Sequence, residues 1–428
     1  MRRVPSRRAV LIAIAVATAA VCAGAFAAAV PADKSPYRKL ALFAEVLSRI
    51  EREYVEAPDG DALIVGAIKG MVNALDPHSS FMTPAEYQDF LGEIRGEFCG
   101  VGLEVGLKDG VMTVIAPFDG SPADRAGIQP GDQIVSVDKR PTAELSLADA
   151  VALIRGRAGE GVVLRLRRPP AAETFDVALV REQVKVKSVE AVALAPRFVH
   201  LRVKQFQDGT AAEIRAQLER LSREGGGLDG VVLDLRRNPG GTVDEAVAVA
   251  DLFLAGGEVL TIRGRGGEQI DAYRAKRGEE YEDVPLVALI DKGSASAAEI
   301  VAGAIRDRGR GLVVGTRSFG KGSVQVPIAL KGGYYLKLTV AKYYTPSGRS
   351  IQAEGIEPDV AVESRDAPAP DAETTLLAAL PDERDLAGHL TPEGTAAAPD
   401  EPRIDDYQLR IAFELVRGQA RTRAAVGR

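Results

Sequence analysis

Apolar positions recur along this chain with two periods, and the change from one to the other divides it. Leu40, Phe43, Val46, Leu47 and Ile50 share one helical face, and Leu63, Ala67, Met71 and Leu75 repeat the pattern. Residues 37–92 therefore predict helices. Thr83-Pro84-Ala85-Glu86 is a strong start for the last of them: a cap, a proline at the first position and a glutamate at the third. Shorter periods follow, with a strand over Met112–Ala116 and then a helix over Leu147–Arg155. Past Lys185 the order becomes strand, helix, strand over Phe198–Val203, Thr210–Leu221 and Leu228–Leu235. Arg236 to Gly241 reads as a turn before a helix at Val243–Leu254. The continuous apolar run Pro285–Ile290 predicts a buried strand. A helix then starts at Ser296, where the hydroxyl and Glu299 form a capping-box signature. Ile300, Ala304 and Ile305 give it a stripe until Gly309 stops it. Leu312–Gly315, Val324–Leu330, Tyr335–Val340 and a segment ending near Val362 predict the remaining strands, so the class is mixed α/β.

Composition adds the ends of the chain. Residues 364–404 are rich in Pro, Ala, Asp and Glu and predict a linker. Beyond it, Leu409, Ala412, Phe413 and Val416 form one helical stripe that must dock on something. Arg2, Arg3, Arg7 and Arg8 precede an uncharged, Ala-rich stretch over residues 9–32. This is the pattern of an export signal, with small-residue cleavage sites around Ala27, Ala29 and Ala32, and its length also suffices for a retained membrane anchor. The expected location is the periplasm or cell envelope. With the signal removed, Cys99 is the remaining thiol and no internal disulfide can form. At 428 residues the chain is too long for one ordinary domain, and its 46% hydrophobic and 27% charged residues fit a soluble globular protein. A net charge of −6, with no basic run beyond the first eight residues, argues against nucleic-acid binding.

Candidate chemistry gathers at the Ser296 turn. A small hydroxyl residue at a helix N-terminus stands beside backbone N–H groups that can hold an oxyanion. It needs a base. None of the three histidines suits, since His78 follows a proline in the N-terminal region, His200 sits in a strand pattern and His389 lies in the Pro-rich tail. Lys321, between Gly320 and Gly322 and flanked by two strands, can serve once desolvation lowers its pKa. Gln325 can orient its amine. Gly315-x4-Gly320-Lys321 imitates a phosphate-binding loop, but Gly322 stands where that motif needs a magnesium-binding Ser or Thr. The paired Gly240 and Gly241 let backbone N–H groups face a ligand. Nothing clusters like metal ligands, and no cofactor is needed. A second unit starts at Gly100-Val101-Gly102-Leu103, a glycine-rich loop whose N–H groups can receive a peptide's terminal carboxylate.

Two resemblances connect these pieces. SASAAEI, Asp307 and SFGKGSVQ resemble the carboxy-terminal processing peptidases, also called tail-specific proteases, and the likeness continues through LDLRRNPGG and TPSGRSIQAEGIEPD. The GVGL loop with AGIQPGDQI behind it resembles a PDZ domain. The resemblance implies a crotonase-like serine protease core with an inserted PDZ domain and a helical N-terminal region that packs or dimerises. It implies Ser296 as nucleophile, Lys321 as base and Gln325 as its partner. It also implies oxyanion donors at Ala297 and at Gly240 or Gly241, and peptide binding at Gly100, Val101, Gly102 and Leu103. Arg237 and Ala298 depart from the family pattern without touching this chemistry. Five regions follow: a signal or anchor over 1–32, helices over 33–96, a PDZ domain over 97–183, a protease core over 184–363, and a linker and helix over 364–428. The expected partners are polypeptides with free C-termini, with a homo-oligomer and an envelope adaptor protein left open. The rival reading is a PDZ scaffold on an inactive core, although such a core would be expected to lose the serine or the lysine.

Overall fold

A computed structural model describes residues 36–108, 110–278, 281–364 and 404–426. The expected export signal, His389 and nearly all of the expected linker lie outside them. The described chain forms two compact units, one ending at Leu75 and one starting at Asp76. The first holds helices α1 (Pro36–Glu53) and α2 (Gly60–Asn73). Asp59 caps α2 by accepting the N–H of Ala62 at 3.1 Å.

The second unit opens with a departure from the helical expectation. Asp76 accepts the N–H groups of His78 and Ser79 at 2.8 Å each, an Asx-type turn that competes with helix. Ser80–Met82 then forms strand β1, which buries Phe81 and Met82. Helix α3 (Pro84–Arg95) starts where predicted, with the reciprocal Thr83–Glu86 capping box in place.

The next stretch is a domain with its own core around Val101, Val114, Ile134 and Leu164. It runs β2 (Glu97–Gly100), β3 (Leu103–Lys108), β4 (Val111–Pro117), α4 (Pro122–Arg125), β5 (Gln133–Val137) and β6 (Arg140–Pro141). Helix α5 (Leu147–Ile154), β7 (Gly161–Arg167), β8 (Thr174–Val180) and β9 (Glu182–Lys185) complete it. Along β7, Val162, Leu164 and Leu166 alternate inward, as a half-buried strand requires. The sheet order is β3-β4-β5-β7-β8, so β3 is an edge. Strands β2 and β9 pair antiparallel, which brings the entry and exit of the domain together.

The remainder builds the core. In order come β10 (Val189–Ala195), β11 (Phe198–Val203), α6 (Thr210–Gly225), β12 (Gly230–Asp234) and α7 (Val243–Phe253). Then follow β13 (Gly257–Arg263), β14 (Gln269–Ala275), β15 (Leu286–Ile290), α8 (Ala297–Asp307) and β16 (Leu312–Gly315). Strands β17 (Ser323–Ala329), β18 (Tyr335–Tyr344) and β19 (Val360–Ala361) and helix α9 (Tyr407–Val426) end it. One sheet is ordered β10-β11-β12-β15-β16-β19 and is parallel from β11 onward. Every residue of β12 and β15 is buried, because helices cover both faces. Helices α6, α7 and α8 pack on one face; Leu409, Ala412, Phe413 and Val416 of α9 pack on Val232, Val287, Leu289 and Val314 of the other. The second sheet, β1-β18-β13-β14 with β17 also on β18, meets α8 through Leu260, Ile262, Ala341 and Tyr343. Strands β13 and β14 have no counterpart among the predicted elements. Of the seven residues of β14 only Ala275 is buried, so it carries no inward period.

Candidate active site

Between the buried Ile290 and the first turn of α8, the chain reverses at the carboxyl end of the sheet. Asp291 organises that reversal, its Oδ1 accepting the N–H of Gly293 at 2.9 Å and of Arg237 at 2.8 Å. Ser294 is fully buried and consumed by the turn: its Oγ donates to the Leu235 carbonyl at 2.8 Å and accepts the Asp291 N–H at 2.9 Å. Ser296 has φ +55° and ψ −113°. Such a backbone costs a non-glycine residue about 1–3 kcal/mol and persists only where its surroundings impose it. It changes the predicted cap. Glu299 does accept the Ser296 N–H at 2.8 Å, but Ser296 Oγ is turned to the Tyr343 hydroxyl at 2.7 Å and does not cap the helix.

The Arg236–Gly241 turn is laced to this one. Ala295 donates to the Asn238 carbonyl at 2.9 Å, and Asn238 Nδ2 donates to the Val203 carbonyl at 2.7 Å. A Cβ on Gly240 would lie 2.6 Å from Ser296 Cβ and 3.0 Å from the Ala297 nitrogen, so only glycine lets the two turns meet. The N–H of Gly240 is taken by Asn238 Oδ1 at 2.8 Å. Among the described residues the N–H groups of Gly241 and Ala297 donate to no protein acceptor. Ala297 is the first residue of α8, where the helix leaves its N–H unpaired.

Glu299 ties the lysine loop to the same helix start. It is fully buried, and its carboxylate accepts four hydrogen bonds. Oε2 takes the N–H of Ser296 at 2.8 Å and of Lys321 at 2.9 Å, while Oε1 takes Ser318 Oγ at 2.5 Å and the Gly320 N–H at 2.6 Å. Lys321 is half-buried. Burial and then the charge of Lys337 hold its ammonium below the ordinary lysine range, against the opposite pull of Glu299. Among the described residues no hydrogen bond joins Lys321 Nζ to Ser296 Oγ.

Gln325 stands at the end of a different chain. Its Nε2 donates to Ser323 Oγ at 2.9 Å and to Thr339 Oγ1 at 3.2 Å. Thr339 Oγ1 donates to Asp76 Oδ1 at 3.2 Å, and Ser79 Oγ donates to Asp76 Oδ2 at 2.7 Å. The turn after α2 thus reaches the predicted partner of the lysine. His78 of that turn has its pKa lowered by burial and then by the charge of Lys321. His200 is bound elsewhere: its Nε2 lies 2.9 Å from Asp234 Oδ2. Asp234 pairs with Arg236 at 2.6 Å, and Arg236 reaches Asp406 at 2.8 Å. Burial pushes the Asp234 carboxyl up, but hydrogen bonds from Arg236 and His200 outweigh it and hold the group well below the usual carboxylate range. A cavity of about 1190 Å³ opens beside this cluster, lined by Asp234, Arg236, Asp291, Ser318 and Phe319; Ser296 and Lys321 do not line it.

In the domain between β2 and β9, Val101 is fully buried and its carbonyl accepts the Ala123 N–H at 2.9 Å. Gly102 has φ +76°, and a Cβ there would strike Ser121 Cβ at 2.2 Å. The N–H groups of Val101 and Gly102 find no acceptor among the described residues. Leu103 and Val105 of the edge strand β3 pack on the domain core with Leu147 and Leu153 of α5.

Residues 197–362 match the model of peptidase family S41, and 114–168 match that of a PDZ domain. Residues 21–85 match the N-terminal domain of the activating protease CtpB. The chain is 39% identical over 396 residues to a carboxy-terminal-processing protease of Bartonella bacilliformis, covering 90% of each. The chain belongs to the carboxy-terminal processing proteases. This peptidase is also 35% identical over 320 residues to the carboxy-terminal processing protease CtpA of Bacillus subtilis, covering 74% of this chain and 68% of the relative. Among solved structures it is similar to a photosystem II D1 C-terminal processing protease, at 32% identity and a TM-score of 0.47 over 76% of this chain and 92% of the other. It is a serine-type peptidase with a PDZ domain.

Three features of the site went unread in the sequence of the peptidase. Glu299 was visible only as half of a capping box, and Tyr343, beyond the predicted strand Tyr335–Val340, and Asp76 not at all.

Proposed function

We propose that this peptidase is an exported endopeptidase that cuts polypeptides near their C-termini with Ser296 as nucleophile and Lys321 as base. The observation that carries this is the Ser296 turn: a strained serine packed against Gly240, with the N–H groups of Gly241 and Ala297 left without a protein acceptor among the described residues and Glu299 holding the Lys321 loop to the same helix start. Ser296 Oγ attacks the scissile carbonyl while its proton passes to neutral Lys321 Nζ. The oxyanion accepts hydrogen bonds from Ala297 and Gly241, since the Gly240 N–H is already engaged. Lys321 then gives the proton to the departing amine, and water releases the acyl-enzyme by the same route. Gln325 acts behind the lysine and fixes its loop through Ser323 and Thr339.

The PDZ domain selects the substrate in this reading. Its unpaired N–H groups at Val101 and Gly102 hold a terminal carboxylate, Gly100 and Leu103 complete the loop, and β3 takes the peptide as an added strand. The N-terminal signal places the protein in the periplasm or cell envelope, cleaved or as a membrane anchor. Leu40, Phe43 and Val46 lie exposed on α1 and supply a surface for self-association or an adaptor protein.

The test uses one peptide with an apolar last residue, made as free acid and as amide. The acid should be cut faster, and Ser296→Ala should abolish cleavage of both. Equal rates would remove tail recognition, and full activity in Ser296→Ala would remove the nucleophile.

A further inference from the structure

Tyr343 is 2% exposed, and its hydroxyl lies 2.7 Å from Ser296 Oγ. The backbone puts it there. Its N–H donates to the Gly322 carbonyl at 2.9 Å, one residue after Lys321, and the β17–β18 pairing continues from Ser323 opposite Lys342. The strand that carries the tyrosine and the loop that carries the lysine are therefore one hydrogen-bonded unit. From the second sheet, the ring reaches the nucleophile of the first.

The direction of the hydrogen bond follows from burial. A buried hydroxyl whose proton finds no acceptor is costly. Among the described residues Ser296 Oγ is the acceptor within reach of this phenol. The phenol donates, Oγ accepts, and the serine's own proton is left for a base. Burial raises the pKa of Tyr343 and outweighs the lowering by its bond to Ser296, and the charge of Glu299 adds a little to the rise, so the phenol keeps its proton where Lys321 is neutral.

We propose that Tyr343 is a catalytic residue of this peptidase, its phenol donating to Ser296 Oγ and stabilising the negative charge Oγ carries as its bond to the acyl carbon forms or breaks. This rests on the reading of Ser296 as nucleophile. In acylation the Oγ–C bond forms while the serine proton passes to Lys321 Nζ. In deacylation water adds to the ester and loses a proton to Lys321. The Oγ–C bond then breaks, its electron pair returns to Oγ, and Lys321 returns a proton to it. Tyr343 gains and loses no proton in either step. Oγ bears most charge when it is the leaving group, so the donor matters more in deacylation.

The experiment is burst kinetics of the full-length Tyr343→Phe protein with a p-nitrophenyl ester, alongside mass spectrometry of the enzyme. The initial burst should persist, steady-state turnover should fall at least about tenfold, and acyl-Ser296 should accumulate; a preorganised donor to a developing oxyanion is worth about 10²–10³ in rate. A role in packing alone would lower the melting temperature and slow both phases alike, and would overturn the proposal. So would wild-type deacylation in folded Tyr343→Phe. An acyl adduct or burst surviving in Ser296→Ala would bring down the nucleophile assignment, and the tyrosine proposal with it. If Tyr343→Phe fails to fold, 3-fluorotyrosine at position 343, a stronger donor of the same shape, should speed deacylation. An unchanged rate there would overturn the proposal equally.

Discussion

Lys321 is the residue on which the proposed chemistry depends, because a lysine acts as a base only when neutral. Burial and Lys337 lower its pKa from the ordinary value of about 10.4, and Glu299 limits how far it falls. Lowering the pKa brings neutral amine within reach, so activity should rise with pH through the lysine's depressed pKa and level off above it. Lys321→Arg keeps the charge at all working pH values and should lose at least about 100-fold in turnover. A pH–rate profile and turnover of the folded variant check this; near-normal turnover would leave the base unassigned. Two residues with plausible side chains are spent on structure instead. Ser294 is held inside the turn by Leu235 and Asp291, and Asp307 accepts the Ser347 N–H at 2.9 Å.

Between elements, Glu299 is the joint. It sits on the first turn of α8 and accepts from the serine turn and from the 318–321 loop at once. Glu299→Gln keeps the shape but turns an amide NH₂ toward two of the four donors. Two buried donors left without acceptors cost about 1–3 kcal/mol each. The variant should therefore lose about 2–6 kcal/mol in urea unfolding, and turnover with it. Wild-type stability would mean the carboxylate is not the joint. The Asp76–Thr339–Gln325 chain is a second joint, between the turn before β1 and the hairpin β17–β18. Both explain why elements far apart in the chain arrive at one place.

At the scale of the whole molecule, the PDZ domain enters and leaves the peptidase core at neighbouring points. Because β2 and β9 pair, Phe98 lies opposite Val184 and Gly100 opposite Glu182. Deleting residues 98–182 therefore joins neighbouring ends, and the core retains its own buried cluster. We expect the deletion variant to cut acid and amide peptides equally and still to be labelled at Ser296 by a fluorophosphonate. A surviving preference for the acid would place tail recognition in the core. Arg236, at the start of the Arg236–Gly241 turn, pairs with Asp406 just before α9, so the C-terminal helix is part of the core's support.

Sequence by itself determined what depends on near neighbours. Leu312–Gly315 and Phe198–Val203 form strands over the predicted residues, because continuous or alternating apolar runs have few alternatives. Ser296 stands at a helix start and Lys321 between glycines for equally local reasons. The motif order was enough to place the chain among the tail-processing peptidases. What the tertiary structure decided is every contact across sequence distance. Ser79 meets Thr339 across 260 positions, and Tyr343 meets Ser296 across 47. Such pairs follow from sheet register and from which face of α8 looks at which sheet, and no periodicity encodes either. The same cause hid strand β1 and the pair β13–β14. Strands β1 and β13 pair with β18 and β14 pairs with β13, while the residues of β14 show no inward period to announce it.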